Sequence, residues 1–333
     1  MKSIAVIILT FNEERHIVRA LQSVTPIAQE IFIVDSFSTD RTIEFARKNG
    51  AKVVQHAFVT QSQQFQWALD NLRISAPWVM RLDADEVIEP ELAAEICQEL
   101  PALSEDVVGV NLRRKHIFLG RWIRHGGRYP LILLRIWRQG RGRVEARWMD
   151  EHMIVEGGRT ITLKGNFQDH NLGDLSAFTE KHNRYATREA IEVLRQRWKF
   201  VGRDTGLSHT GTSMQASAKR LLKERVYNRL PFAVSCTTYF LWRYFFQLGF
   251  LDGIQGLLYH FLQGYWYRFL VGAKVVEYER ALAGLKTREE KLRALSALTG
   301  FNLQGQGRTD CRQPGTPAGI AFAPVVVSDD HNS

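Results

Sequence analysis

Two carboxylates stand two residues apart, at Asp83 and Asp85, directly after the apolar run at residues 78–82. Along a straight strand their side chains would face opposite ways, but at the turn that leaves a strand both can converge on one cation. Carboxylate oxygens suit Mg²⁺ or Mn²⁺, and such an ion could hold a substrate diphosphate against the protein. The alternative is a solvated acidic turn that caps the helix beginning near Pro90, and the spacing alone leaves both open.

Two other apolar runs also end in polar side chains. Residues 10–14 read Thr-Phe-Asn-Glu-Glu, and residues 35–42 read Asp-Ser-Phe-Ser-Thr-Asp-Arg-Thr. A helix cap needs only one or two such side chains, and Ser38 or Asp40 could serve as an N-cap. The remaining carboxylates and amides could bind the base and ribose of a nucleotide, as acidic residues after strands do in other nucleotide-binding folds.

Alternating strands and helices would position these polar segments. The hydrophobic pattern predicts strands at 4–9, 31–34, 53–54 and 78–82, and helices at 13–24, 40–48, 63–72 and 90–100. This alternation predicts an α/β fold with a mostly parallel sheet, whose carboxyl strand ends share one edge where ligands bind. Further, partly antiparallel strands are predicted at 107–112, 131–137 and 160–163, followed by a helix at 176–197 capped by Asp174 or Ser176.

Composition excludes several classes of protein. The 333 residues include 44 Lys and Arg against 35 Asp and Glu, a formal charge of +9, and 45% are hydrophobic, which excludes a disordered or collagen-like chain. Three distant cysteines, Cys97, Cys236 and Cys311, indicate neither a disulfide framework nor a thiolate metal site and favour a reducing cytoplasm. The apolar run at 4–9 is too short for a signal peptide or a membrane span.

An aromatic segment at residues 239–269 differs from the rest of the chain. It holds 13 of the 36 aromatic residues in only 31 positions, and the preceding stretch 219–229 has five basic residues and one acidic. A basic helix followed by aromatic amphipathic helices is typical of a segment lying in an anionic membrane interface. A buried helical hairpin is the alternative. The Gly- and Pro-rich tail from residue 302 is predicted to be disordered.

The three polar strand ends, in this order and spacing, resemble the donor-binding motifs of glycosyltransferase family 2, which has the GT-A fold. Later segments at 118–121 (Phe-Leu-Gly-Arg), 125–130 (His-Gly-Gly-Arg-Tyr-Pro) and 150–152 (Asp-Glu-His) are similar to the branch with lipopolysaccharide core glucosyltransferases and related exopolysaccharide enzymes. The resemblance covers residues 1–200 and, more loosely, the aromatic segment.

This resemblance implies a role for each motif residue. Asp35 would recognise the base of a nucleoside diphosphate, expected to be uracil, and Thr10, Asn12 and Glu13 would line the nucleotide site. Asp83 would approach the ribose and the metal, and Asp85 would bind the divalent cation directly. The expected cofactor is therefore Mg²⁺ or Mn²⁺.

On the acceptor side, an inverting transfer needs a carboxylate that removes the hydroxyl proton, and the departing diphosphate needs positive charge. In relatives the base is the glutamate of a His-Glu pair. Glu151 falls at that position, but Asp150 replaces the histidine, so either could be the base. His170 is a candidate for a metal or diphosphate contact, with Arg128 and Arg135 as other helpers. Many relatives have the sequence Tyr-Pro-Asp at residues 129–131. Here Leu131 replaces the aspartate, so any role of that aspartate is absent.

These observations predict an inverting, metal-dependent sugar transferase that uses a nucleotide-sugar donor, expected to be a UDP-sugar, and a saccharide or lipid-linked acceptor. We expect a catalytic domain at 1–200, a membrane-interface region at 201–300 and a tail at 301–333, in the cytoplasm on the inner face of the cell membrane. Nucleotidyl transfer is disfavoured because residues 10–15 lack a glycine. A non-catalytic basic membrane-binding protein is the other rival, and carboxylates at the strand ends argue against a nucleic-acid partner.

Overall fold

The computed structural model of the protein describes residues 2–144, 153–198, 231–301 and 303. Its first part repeats strand and helix as β1 (Ile4–Thr10), α1 (Ile17–Val24), β2 (Ala28–Asp35), α2 (Thr42–Lys48), β3 (Lys52–Gln55), α3 (Gln61–Asn71) and β4 (Trp78–Asp83). These four strands are parallel, in the order β3-β2-β1-β4. The predicted strands and helices of this part are confirmed.

The second part of the sheet is mixed. It contains β5 (Glu86–Ile88), α4 (Pro90–Glu99), β6 (Val107–Phe118), β7 (Arg121–Trp122), β8 (Leu131–Arg138), β9 (Gly142–Val144), β10 (Met153–Val155) and β11 (Arg159–His170). The nine-stranded sheet has the order β3-β2-β1-β4-β8-β6-β11-β5, with β7 paired to β6, and β9 and β10 form a separate pair.

The first four strands are all parallel, as predicted, and the later strands are partly antiparallel, as also predicted, so the whole sheet is mixed rather than mostly parallel. β8 runs antiparallel to both β4 and β6, and β5 runs antiparallel to β11, whereas β11 is parallel to β6. The chain reverses at the short turn 119–120 between β6 and β7, which is too short for a parallel crossover of a dozen or more residues, and β8 continues in the direction of β7. The fold is a GT-A-like α/β arrangement with a mixed sheet flanked by helices.

The register brings the carboxyl strand ends to one edge. Thr10 pairs with Asp35, and Leu9 pairs with Asp83. Since β8 lies antiparallel between β4 and β6, β6 and β11 point the same way as β1. Asp169, which pairs with His116, therefore reaches the same edge from the other half of the sheet.

The strands carry continuous apolar runs because both faces of the sheet are covered. On β1, Ile4, Val6 and Ile8 pack with residues of α1 and α4, whereas Ala5 and Ile7 pack with residues of α3. All five side chains are fully buried. Burial of each isoleucine or valine contributes roughly 1.5–3 kcal/mol, which anchors the polar strand ends on a rigid sheet.

Helices follow the sheet, namely α5 (Leu175–Arg197), α6 (Phe232–Leu241), α7 (Gly253–Tyr259), α8 (Tyr267–Ala281) and α9 (Arg288–Thr299). Asp174 caps α5 by accepting a hydrogen bond from the Ala177 amide, so one of the two predicted caps is confirmed. α5 packs on α8 through a shared core that includes Ile191 and Val275.

The aromatic segment is helical, with π-helical turns at Trp242–Phe246 and His260–Trp266. Within the described ranges, no helix is both long enough and apolar enough to cross a membrane. The basic stretch 219–229 and the tail from 304 lie outside the described residues, so the predictions made for them stay predictions.

Candidate functional site

The ends of β1 and β2 meet at the carboxylate of Asp35, which is fully buried. Its Oδ1 accepts hydrogen bonds from the hydroxyls of Thr10 at 2.9 Å and Ser38 at 2.5 Å, and its Oδ2 accepts from the Ser38 amide at 2.8 Å. A buried carboxylate without such donors would be costly. These bonds fix Asp35 and Thr10 together at the strand edge, where the sequence predicts nucleotide recognition.

Side-chain hydrogen bonds join the two loops that follow. The side-chain Oδ1 of Asn12 accepts a hydrogen bond from the backbone amide of Thr39 at 2.9 Å. The backbone amide of Asn12 donates to Ser38 Oγ at 2.9 Å. The Glu13 amide donates to Thr42 Oγ1 at 2.7 Å. The structure thus brings the predicted donor-binding residues Asn12 and Glu13 beside Asp35, where they hold the loops in one arrangement.

Two aromatic rings flank this edge. Phe11 is 58% exposed and Phe37 is 55% exposed, although large apolar side chains are usually buried. Phe37 and Asn12 have φ angles of 60° and 56°, in the left-handed region that L residues seldom occupy. Such strained backbone concentrates at functional sites, and here it presents two flat rings to solvent.

Asp83, at the end of β4, lies beside two arginines. Its carboxylate oxygens are 3.5 Å from Arg81 Nε and 3.5 Å from an Arg135 terminal nitrogen. Burial would raise the pKa of Asp83, but the charges of Arg135 and Arg81 outweigh it and lower that pKa. Glu86 is buried against Arg135 and accepts the Asp83 amide at 3.0 Å. Burial raises the pKa of Glu86 to about 8, against the pull of Arg135.

Asp85 lies on the turn between β4 and β5. Its Oδ2 accepts a hydrogen bond from Asn171 at 3.1 Å, and its carbonyl accepts the His170 amide at 3.0 Å. Burial and the nearby carboxylates of Asp169 and Asp83 raise the pKa of Asp85. Repulsion among carboxylates is relieved when a cation binds between them, so this arrangement is suited to a cation.

Asp169 on β11 is a residue at this edge that the sequence analysis missed. Its Oδ2 lies 3.3 Å from an Arg114 terminal nitrogen and 3.1 Å from His116 Nδ1. Burial would raise the pKa of Asp169, but the hydrogen bond and charge of His116, together with Arg114, hold it far below its usual range. The Gln-Asp-His sequence at 168–170 was a signal, yet only its histidine was considered.

Lys181 on α5 was also missed. Burial lowers the pKa of Lys181, but Tyr185, Asp85 and Asp169 outweigh it and raise that pKa, so its ammonium stays charged. A lysine near two carboxylates of the edge adds a cation that a phosphate group could use.

Residues 5–168 match the family model described as Glycosyl transferase family 2. The chain carries a glycosyltransferase family 2 domain. The matched residues run from β1 into β11 and include Asp35, Asp83 and Asp85, so the family predicted from the strand-end motifs is confirmed.

Curated relatives of the family 2 domain carry glycosyltransferase names. An uncharacterized glycosyltransferase of Rickettsia typhi is 40% identical over 96 residues, which cover 29% of this chain and 32% of the relative. The lipopolysaccharide core biosynthesis glycosyltransferase LpsC of Rhizobium meliloti is 29% identical over 196 residues, which cover 55% of this chain and 68% of LpsC. The chain thus spans about a third of the length of the Rickettsia relatives.

Among solved structures, the chain is similar to glucosyl-3-phosphoglycerate synthase from Mycobacterium tuberculosis, crystallised with Mn²⁺, UDP and glucosyl-3-phosphoglycerate. The match is 22% identical, has a TM-score of 0.29 and covers 34% of this chain and 44% of that chain. A second structure, described as a mycobacterial protein, matches with 22% identity and a TM-score of 0.30 over 34% of this chain and 42% of that chain.

A divalent cation at this edge would need substrate oxygens as well as protein ligands. Within the described residues, no group of three or more His, Cys, Asp or Glu side chains is arranged to hold a metal ion. Asp83 and Asp85 could still provide two carboxylates, and Mg²⁺ commonly takes one or two carboxylates with its remaining positions filled by water and phosphate oxygens. Burial and Arg19 lower the pKa of His170, which favours the neutral ring that can bind a metal.

The two candidates for the general base, Glu151 and Asp150, fall in the segment 145–152, outside the described residues, so their role stays a prediction. The 125–130 motif, in contrast, is described and is held by the C-terminal helices. The Gly126 amide donates to the Gln247 carbonyl at 2.8 Å, and the Gly126 carbonyl accepts from Arg243. Gly126 has a φ of 66° and lies against the ring of His260, so a side chain there would be strained and would clash.

Proposed function

We propose that this protein transfers a sugar, with inversion, from a nucleotide-sugar donor to a lipopolysaccharide-type or exopolysaccharide acceptor, with the help of Mg²⁺ or Mn²⁺. The observation that carries the proposal is the grouping of Asp35, Asp83 and Asp85 at one sheet edge in a family 2 domain. Each of these carboxylates has a separate environment, which matches separate tasks in holding the base, the ribose and the cation.

The donor would lie across the ends of β1, β2 and β4. The buried Asp35 carboxylate, fixed by Thr10, would recognise the base, for which uracil is our choice, while Asn12 and Glu13 line the nucleotide site. The exposed ring of Phe11 offers an apolar surface on which a base could stack. The loops are already joined by hydrogen bonds, so little ordering would be needed on binding.

Next to the nucleotide, Asp85 would bind the cation with Asp83 as the second carboxylate, and His170 would contact the diphosphate. The cation supplies positive charge that stabilises the departing diphosphate. Lys181 is a second source of charge near the carboxylates. Arg135 is buried against Glu86 and Asp83, so we assign it to positioning the Asp83 turn.

The general base would be Glu151 or Asp150. It would take the proton from the acceptor hydroxyl while that oxygen attacks the sugar carbon and the diphosphate leaves. We expect Glu151→Gln to lower kcat by roughly 10²–10⁴ with nearly unchanged nucleotide binding, because a general base acts only on the acceptor. If Glu151→Gln is fully active and Asp150→Asn is inactive, the base is Asp150. Activity in both variants would reject a base in this segment.

The proposed acceptor is lipid-linked and is reached from the inner face of the cell membrane. Two observations support it, namely the similarity to a protein named as a lipopolysaccharide core biosynthesis glycosyltransferase and the exposed aromatic side chains between residues 232 and 269. Nucleic acid is not an expected partner, since acidic groups occupy the strand edge.

The test is the release of nucleoside diphosphate from a panel of nucleotide sugars, with and without a chelator. We expect one donor to be consumed, with activity that is lost in chelator and restored by Mg²⁺ or Mn²⁺. Asp106→Asn is a matched control for Asp85→Asn. Asp106 is an exposed carboxylate that pairs with Arg159 away from the proposed site, so its substitution should leave activity unchanged. Release of pyrophosphate instead would indicate nucleotidyl transfer, and full activity in excess chelator would reject the metal.

A further inference from the structure

An apolar surface lies outside the strand edge. Of the 23 large hydrophobic side chains that are exposed in the described chain, 12 lie between residues 232 and 269. Trp242 stacks on Phe246 at 5.3 Å between ring centres, and Phe246 is 73% exposed. We define the aromatic face as the exposed apolar residues from 241 to 254, which are Leu241, Trp242, Phe245, Phe246, Leu248, Phe250, Leu251 and Ile254. Apolar patches of this kind mark interaction sites.

Charged residues in the same segment face the protein interior. Arg243 is buried and donates to the Tyr239 hydroxyl at 2.9 Å. Asp252 is buried and accepts the His125 amide at 2.8 Å. The Arg268 guanidinium lies 3.9 Å from the centre of the Tyr239 ring. Between residues 232 and 269, which are all described, no Asp, Glu, Lys or Arg side chain is exposed, whereas a helical surface that meets water normally exposes several.

We propose that the aromatic face inserts into the interface of an anionic phospholipid bilayer. Tryptophan and phenylalanine with no exposed charge suit the boundary between headgroups and acyl chains. Charge complementarity selects anionic lipid, because the sequence places five basic residues at 219–229, close before this segment. The inference deepens the proposed function and rests on it in one respect, namely that the acceptor is lipid-linked.

The aromatic face is also connected to the sheet edge. The carbonyl of Gln247, which stands between Phe246 and Leu248 of the face, accepts the Gly126 amide at 2.8 Å, and the Arg243 guanidinium donates to the Gly126 carbonyl. Tyr259 packs against His116 at 4.8 Å, and His116 holds Asp169. A bilayer that binds the face would therefore lie at a fixed position relative to the carboxylates, as a transferase with a membrane-anchored acceptor requires.

The experiment is co-sedimentation of the full chain, diluted from mild detergent, with vesicles of phosphatidylcholine alone or with added phosphatidylglycerol. We expect the protein to pellet with the anionic vesicles and much less with the neutral ones. The double variant Trp242→Ser, Phe246→Ser should reduce binding at least about tenfold at both low and high salt, because it removes apolar burial. Reversing Lys219, Lys223 and Arg225 to Glu should reduce binding mainly at low salt.

A matched control is Leu298→Ser, which removes an equally exposed apolar side chain, 54% exposed, from α9 outside the aromatic face. It should bind like the wild type. The proposal is overturned if the wild type ignores anionic vesicles or if the double variant binds them normally. If instead the wild type is a dimer in detergent-free solution and the double variant a monomer, a second copy covers the face. A monomer that ignores vesicles would reject the bilayer as the partner of the aromatic face.

Sugar transfer is measured separately, with a soluble saccharide acceptor in detergent. A double variant that loses vesicle binding but keeps this activity supports the bilayer as the partner. A wild type that binds vesicles but transfers no sugar would reject the proposed function and leave the surface assignment standing.

Discussion

The strand edge and the aromatic face distribute charge in opposite ways. At the edge, the side chain of Asp83 is 33% exposed, so a ligand can reach this carboxylate, whereas Asp35 and Glu86 beside it are buried. In the segment 232–269, the charged side chains of Arg243 and Asp252 are buried and the rings are exposed. The comparison shows that the location of charge, rather than its amount, separates a site for a charged ligand from a surface for an apolar one.

The largest effect should come from Asp85→Asn, which tests the edge. We expect activity to fall by about 10³-fold or more, because one charged ligand of the cation is lost. The melting temperature should not fall, since burial, together with repulsion from Asp169 and Asp83, already disfavours the ionised Asp85 carboxylate. The measurements are nucleoside diphosphate release and thermal unfolding. An active variant would show that Asp85 holds no metal, and a lower melting temperature would show that it is a structural residue.

The next effect tests the buried histidine of the aromatic segment, His260. Burial, and secondarily Arg243, lower the pKa of His260 to about 4, and neither ring nitrogen has a hydrogen-bond partner among the described residues. Between pH 4 and 6.5 the unfolded chain binds this proton and the folded chain does not, so the free energy of unfolding should fall as pH falls through that range. Over the whole range between the two pKa values, His260 changes the free energy of unfolding by about 3 kcal/mol.

His260→Phe isolates this contribution, because phenylalanine fills a similar space and does not titrate. Denaturant unfolding at pH 4 and pH 7 should show a smaller pH dependence in the variant, with stability at pH 7 nearly unchanged. Asp252 and Arg128 also act on the His260 ring and remain in both proteins, so their effects largely cancel. Equal pH dependence in the two proteins would mean that His260 accepts a proton in the folded state.

The smallest effect tests whether the exposed ring of Phe11 serves the edge. Phe11→Ala should weaken binding of the nucleoside diphosphate by roughly tenfold, because stacking of a base on an aromatic ring is worth about 1–3 kcal/mol. Phe11→Tyr retains the ring and should bind normally. The measurement is calorimetric titration with nucleoside diphosphate and Mg²⁺. Unchanged affinity in Phe11→Ala would remove the ring from the donor site.

The sequence predicts the parallel strands and their polar ends well, because local hydrophobic runs specify both. Thr10, Asp35 and Asp83 therefore lie where the alternation of strand and helix placed them. The mixed part is harder to predict, since β5 has only three residues and its antiparallel pairing with β11 depends on distant chain. Asp169 was missed for the same reason, because its neighbours Asp83 and Asp85 are far away in the sequence.

The sequence also does not predict that the charged side chains of the aromatic segment are buried. Composition indicates aromatic amphipathic helices but does not say which side the charged residues occupy. Gly126 accepts a hydrogen bond from the buried Arg243, and His125 donates one to the buried Asp252, so the burial of these charges depends on contacts between segments more than a hundred residues apart.

The position of β11 has a consequence for biosynthesis. β11 lies between β6 and β5, so the sheet cannot be completed until residue 170 has been synthesised. At 5–20 residues per second, roughly 2–8 s separate the end of β6 from the start of β11 on the ribosome. During this interval the β5 and β6 edges remain unpaired, and unpaired strand edges are where aggregation begins. A nascent chain stalled before residue 159 should therefore be the species that chaperones bind most strongly.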